Sequence, residues 1–212
     1  MGSSKEVVAS LDALFSSARV MERRDFLTAG AALMTAAVTG TGTAAAQAPA
    51  ASRPITDEDR KHMKEAVRLM RQAGVVDKTG GPFGAVIVRN GEVLAATGNS
   101  VLRDNDPSAH AEVNAIRAAC KKVGAPNLKG ATLYTSCEPC PMCYSTAYWA
   151  RVDRILYSAA WSDYADLFDD SNISNDMKKP YAERQVSVAQ LMPEDAQAVW
   201  LEYRKMPEKT RY

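Results

Sequence analysis

Four side chains in this sequence have types and spacing that can do chemistry: His110, Glu112, Cys140 and Cys143. They stand in His110-Ala111-Glu112 and, further on, Pro139-Cys140-Pro141-Met142-Cys143. One imidazole and two thiolates hold a zinc ion firmly and leave one tetrahedral position exchangeable for water. The thiolates offset most of the ion's charge, yet the ion still makes that water far more acidic than bulk water. Glu112 need not bind metal, so it is free to take the water's proton and hand it on. A purely structural site normally uses four protein ligands. Cys137 is a candidate for the fourth, but Glu112 would then be unexplained. The expectation is one zinc ion per chain on His110, Cys140 and Cys143, with Glu112 as base and then acid.

Bulk properties bound the partners. The chain has 212 residues, 46% hydrophobic and 24% charged, which is ordinary globular composition. The formal net charge is +1, without the basic stripe that a nucleic-acid binder displays, so no nucleic-acid partner is expected. No stretch matches a membrane-spanning helix anchored by charges, so no stable membrane association is expected. Cys137, Cys140 and Cys143 fall within seven residues, a clustering that suits metal better than a disulfide framework.

The elements that must position these groups follow from periodicity. Thr56 and Asp59 form a capping box, followed by Met63, Ala66, Val67, Met70 and Ala73 at helical spacing. His62 reads as a surface residue of that helix. Phe83 to Val88 is a buried strand, Asn90-Gly91 a hairpin turn, and Glu92 to Thr97 the returning strand. Ser108 reads as the cap of a helix carrying His110 and Glu112. Ala131 to Thr135 is a third strand, and Pro141 opens a helix that runs to Ala150. Arg154 to Tyr157 is a fourth strand and Val186-Ser187-Val188 a fifth. Pro193 to Tyr203 reads as an amphipathic helix with Ala196, Val199, Trp200 and Tyr203 on one side. Helices alternating with strands predict an α/β layered fold around a mixed five-stranded sheet.

Residues 1–48 read as a leader. Arg23-Arg24-Asp25-Phe26-Leu27 precedes an uncharged Ala-, Gly- and Thr-rich run, as in a twin-arginine export signal. Ala44-Ala45-Ala46 supplies a small-residue cleavage site, and Met21 is an alternative start. Periplasmic localisation is the expectation, with a cytoplasmic enzyme as the alternative. Residues 49–56 form a short linker, and 57–212 the functional domain.

The segments around the metal motif carry a resemblance. Phe83-Gly84-Ala85-Val86-Ile87-Val88, Asn105-Asp106-Pro107-Ser108-Ala109-His110-Ala111-Glu112, Tyr134-Thr135-Ser136-Cys137-Glu138-Pro139-Cys140 and Tyr148-Trp149-Ala150-Arg151 resemble the bacterial guanine deaminases of the cytidine deaminase superfamily. The H-x-E and P-C-x-x-C elements are shared by zinc deaminases at large. Phe168-Asp169-Asp170 and the terminal Tyr212 resemble features of the narrower group. The resemblance implies a three-layer α/β/α sandwich and hydrolysis of guanine at C2 to xanthine and ammonia, with water as co-substrate. It implies that Asn99 reads the purine base, that Phe83 and Trp149 pack around it, and that the Ala111 N–H meets a ring acceptor. Asp170 would assist proton transfer. It also implies a homodimer that exchanges C-terminal segments, so that Tyr212 of one subunit closes the site of the other. Trp161 and Tyr164 lie in a segment able to reshape the pocket. The alternatives are deamination of another small ring (cytosine, guanosine, an aminotriazine), a tRNA adenosine deaminase, and a non-enzymatic zinc protein.

Overall fold

The computed structural model describes residues 53–210 other than Asp169. The expected leader and Tyr212 lie outside the described residues. Asn90 and Gly91 adopt φ of 53° and 80°, the left-handed pair that a tight hairpin turn requires. They join β1 (Gly84–Arg89) to β2 (Glu92–Gly98). The register is regular except at one point. Val88 pairs with Val93 and Ile87 with Ala95, so Leu94 is an extra residue that bulges β2. The bulge explains why Leu94 and Ala95, adjacent in sequence, are both buried.

On its other side β1 pairs antiparallel with β3 (Ala131–Cys137), and β3 pairs parallel with β4 (Arg154–Ala159). The order is β2-β1-β3-β4. The expected mixed sheet is therefore present, with four strands among the described residues instead of five. Val186-Ser187-Val188, expected as the fifth, is irregular, with Val186 73% exposed. Among the described residues, no strand or helix buries these two valines.

Alternate residues of the strands feed two separate layers, as the two-residue period of a strand demands. Val86, Val88 and Tyr134 pack with Ala66, Met63 and Leu69 of α1 (Asp57–Arg71). Ala85, Ile87 and Leu133 pack instead with α3 (Ala111–Val123) and α4 (Pro141–Trp149). Ala111, Ala115 and Ala119, four residues apart, let α3 lie close on that face. Three layers result, as expected. A short α2 (Val101–Asp104) links β2 to the loop before α3.

α1 is fixed at both ends of its inner face. The Asp59 N–H donates to Thr56 Oγ1 at 3.1 Å and the Thr56 N–H donates back to Asp59 Oδ2 at 2.8 Å, the expected capping box. A Cβ on Gly84 would stand 2.2 Å from the Ala66 carbonyl oxygen, so only glycine permits this approach of helix to strand. Asp59 also accepts from the Tyr134 hydroxyl at 2.7 Å and meets the Arg154 guanidinium at 3.5 Å. Burial works against ionising Asp59, but the Thr56 N–H, the two hydroxyls and Arg154 together hold its carboxyl down at about 2. His62 is buried against the Tyr134 ring at 5.2 Å and is not the surface residue that its charged neighbours suggest. A helix of this length turns even a mainly polar sequence partly inward.

Beyond β4 the chain behaves differently. α5 (Ser171–Met177) and α6 (Pro193–Lys205) follow. α6 is the expected terminal helix, yet it buries none of its residues within the described chain. Val199 and Trp200, on its expected apolar side, are 63% and 59% exposed.

Candidate active site

Two helix starts bring the metal-type ligands together. His110 is the N-cap of α3, with extended backbone at ψ 152°, and Cys140 is the N-cap of α4, with ψ 166°. Pro141 follows as the first helical residue, where its missing N–H costs nothing. α3 thus begins at Ala111, later than a Ser108 cap would place it. Ser108 is instead held by Asp106, whose Oδ1 accepts from the Ser108 N–H at 2.8 Å and its hydroxyl at 2.6 Å. The consequence is that His110 projects from non-helical backbone while Glu112, two residues on, is already helical.

His110 Nδ1 lies 3.7 Å from Cys140 Sγ and 3.5 Å from Cys143 Sγ. Imidazole nitrogen and thiolate sulfur bound tetrahedrally to one zinc ion would be about 3.6 Å apart, from their usual bond lengths. The donor set and its spacing fit zinc. Both sulfurs are buried, and His110 is partly buried. A hydrogen bond from the Cys143 thiol, aided by His110, pulls Cys140 down to about 4 against the effect of burial. Cys143, holding the shared proton beside a nascent thiolate, is pushed up by that bond and by burial. The Cys140 contact likewise raises His110, with burial opposing. Cys137 is fully buried at the end of β3, accepts from the Ser136 hydroxyl at 3.6 Å, and is not in the ligand cluster. The four-ligand structural reading therefore loses its fourth ligand among the described residues.

Glu112 stands beside the cluster, 4% exposed. One oxygen accepts from the Thr135 hydroxyl at 2.9 Å and the other lies 3.5 Å from Cys143 Sγ. Burial raises its carboxyl, and the Thr135 hydrogen bond only partly offsets this. A carboxyl tuned upward next to a metal-type site is suited to taking a proton and returning it.

These groups face a cavity of 490 Å³ whose lining includes Phe83, Asn99, His110, Glu112, Cys140 and Asp170. That volume lies within the usual range for small-molecule sites, about 300–1,000 Å³. Asn99 is buried, and its N–H donates to the Phe83 carbonyl at 3.0 Å, extending the hairpin by one pair. A Cβ on Gly80 would stand 1.9 Å from Asn99 Oδ1, so the glycine makes room for the amide. Asn114 braces this corner, its Nδ2 donating to Ser100 Oγ at 2.9 Å and the Gly98 carbonyl at 3.2 Å. Ala111 is the first residue of α3, where backbone N–H groups have no intrahelical partner.

The structure thus gathers His110, Cys140, Cys143, Glu112, Asn99, Phe83 and Asp170 around one cavity, with Ala111 adjoining. It does not bring Trp149 there. Trp149 ends α4, is 58% exposed, and packs edge-on against Tyr148 at 6.1 Å. The sequence reading did not single out Thr135, Glu138 or Asn114. Glu138 and Phe168 line the cavity, and Phe168 was visible only as part of the Phe-Asp-Asp segment. Position two before Cys137 marks Thr135 as facing a set side of β3, but which partner it meets depends on α3 folding over the strand.

Comparison with known proteins bears on this geometry. A model of the cytidine and deoxycytidylate deaminase zinc-binding region matches residues 56–159. The chain is 45% identical over 151 residues to the guanine deaminase of Bacillus subtilis (strain 168), spanning 71% of this chain and 96% of that protein. An X-ray structure of guanine deaminase from Bacillus subtilis is similar with a TM-score of 0.69 and 44% identity, covering 72% of this chain and 98% of the other. A tRNA-specific adenosine deaminase of Agrobacterium fabrum (strain C58 / ATCC 33970) is 43% identical, but over 102 residues, 48% of this chain and 66% of its own length.

Proposed function

This chain belongs to the guanine deaminase family and carries a cytidine and deoxycytidylate deaminase zinc-binding region, and from that premise we propose that it hydrolyses guanine to xanthine and ammonia. The observation that carries the proposal is the placement of Glu112 and Asn99 in one cavity with the His110, Cys140 and Cys143 cluster. His110, Cys140 and Cys143 would hold zinc, which when bound supplies a Lewis acid that makes water nucleophilic near neutral pH. Glu112 takes a proton from water, delivers it to the ring nitrogen beside C2, and passes the second proton to the departing amine. The Asn99 amide, able both to donate and to accept, orients the purine edge. Phe83 supplies an apolar wall, the Ala111 N–H a donor to the ring, and Asp170 a second carboxylate near the amino group.

The same reading includes a homodimer with exchanged C-terminal segments. Support comes from α6, none of whose residues is buried within the described chain. Tyr212 would close the partner's site. Export by the Arg23-Arg24 leader is part of this reading; among the described residues no helix is long and apolar enough to cross a membrane.

The test is ammonia release from zinc-loaded protein given guanine, guanosine, cytosine, adenine and aminotriazines in parallel. Guanine should turn over fastest. Turnover of another ring with guanine inert would overturn the substrate and leave the reaction type standing. Silence on every ring, with activity on a tRNA anticodon stem-loop, would favour the longer-substrate relatives.

A further inference from the structure

Asp170 poses a mechanical problem. It lies beyond β4, at the N-cap of α5, yet it lines the cavity with Glu112 and His110. A carboxylate that handles protons must be held to a fraction of an ångström, which calls for side-chain contacts that aim it.

Tyr164 is placed to do it. Its carbonyl accepts from the Leu167 N–H at 2.9 Å and the Phe168 N–H at 3.1 Å, a turn that leads into Phe168 of the cavity lining. Its ring packs edge-on against Phe83 at 5.7 Å and near Phe168 at 6.5 Å, while Phe83 and Phe168 pack on each other at 5.2 Å. Three aromatic rings thus form one wall. The Tyr164 hydroxyl faces both Asp170 Oδ2 and the Glu138 carbonyl, each at 3.4 Å. Glu138 is itself tied down: its carbonyl accepts from Trp161 Nε1 at 3.0 Å, and it belongs to the turn between β3 and Cys140. One hydroxyl therefore links Asp170 to the segment that carries the metal-type ligands. Both contacts are long for O–H···O, so the single hydroxyl proton is shared loosely between the two acceptors.

We propose that Tyr164 is a positioning residue for the reaction, aiming the Asp170 carboxylate through its hydroxyl while its ring holds Phe83 and Phe168 as the aromatic wall. The inference rests on the deaminase reading and on Asp170 acting in it. It assigns separate duties to the two parts of one side chain. The hydroxyl serves kcat through Asp170, and the ring serves KM through the wall.

The experiment is a double-mutant cycle on the zinc-loaded enzyme, with whichever ring the panel above shows to turn over best. Tyr164→Phe should lower kcat about ten-fold and leave KM within about two-fold. Asp170→Asn should lower kcat by roughly a hundred-fold. Adding Tyr164→Phe to Asp170→Asn should then cost almost nothing more, since the group being aimed is gone. Tyr164→Ala should raise KM as well, and zinc content measured on every variant should stay at the wild-type ratio. A fully additive Tyr164→Phe effect, with Asp170→Asn slow, overturns the coupling but spares the role of Asp170. Wild-type kcat in Asp170→Asn overturns both. Wild-type kcat in Tyr164→Phe overturns the positioning role outright.

Discussion

The two sides of the cavity are built on different principles. On one side His110, Glu112, Cys140 and Cys143 stand at helix starts pressed against a sheet, and Glu112, Cys140 and Cys143 are at most 4% exposed. On the other side Phe168 and Asp170 stand outside the strands, just before α5, with Asp170 as its N-cap. The first side holds its groups by backbone hydrogen bonds and packed layers. The second holds them by a few side-chain contacts, of which Tyr164 makes several. Reactions that need an activated water demand rigidity on the first side. Substrate entry and product release demand that the second be able to part.

The sharpest way to break this contrast is Glu112→Gln. It should keep zinc and the fold, and lower kcat by roughly 10²–10⁴-fold, because the amide cannot shuttle protons. Metal analysis alongside ammonia release checks it. A variant that loses metal together with activity would mean that Glu112 serves the site's architecture instead. Thr135→Val asks how far the rigid side depends on a single bond. Removing the hydroxyl leaves Glu112 without its 2.9 Å donor, and kcat should fall about ten-fold with little change in KM. An unchanged kcat would show that packing alone holds the carboxylate.

The smallest effect on catalysis should come from Asp59, which pins α1 to β3 and β4. Its folded-state value of about 2 lies below the ordinary 3.8. The ionised form is therefore favoured by folding, and its stabilising contribution is complete above about pH 4. It is lost as pH falls toward 2, at a cost of about 2 kcal/mol. Asp59→Asn should show that loss already at neutral pH and flatten the acid limb of a denaturation series from pH 5 to 2, with kcat at pH 7.5 nearly unaffected. An acid limb identical to wild type would remove Asp59 from the account.

How much of this could be read beforehand follows the same division. The ligands and Glu112 were legible because their roles depend on short spacings and on local backbone, a cap, a proline, a helix start. The hairpin was legible from Asn90-Gly91 for the same reason. Thr135 and Glu112, 23 residues apart, meet only because α3 lies across β3. Tyr134 and Asp59 are 75 apart, and their meeting is what draws His62 inward. No local pattern encodes such pairs. Beyond β4 the pattern misled, since the apolar alternation at Val186 and Val188 and the face of α6 have no partner within the described chain. Hydrophobic periodicity reports that a face is to be covered, not which surface covers it.

The extra residue in β2 has a consequence for how this enzyme can change over generations. Side chains alternate across a strand, so absorbing Leu94 by slippage instead of a bulge would turn every residue from Ala95 onward to the opposite face. Asn99 would then point away from the cavity although nothing near it had been altered. Single-residue insertions in this hairpin should thus be purged as loss of function, while paired insertions, which restore the alternation, survive.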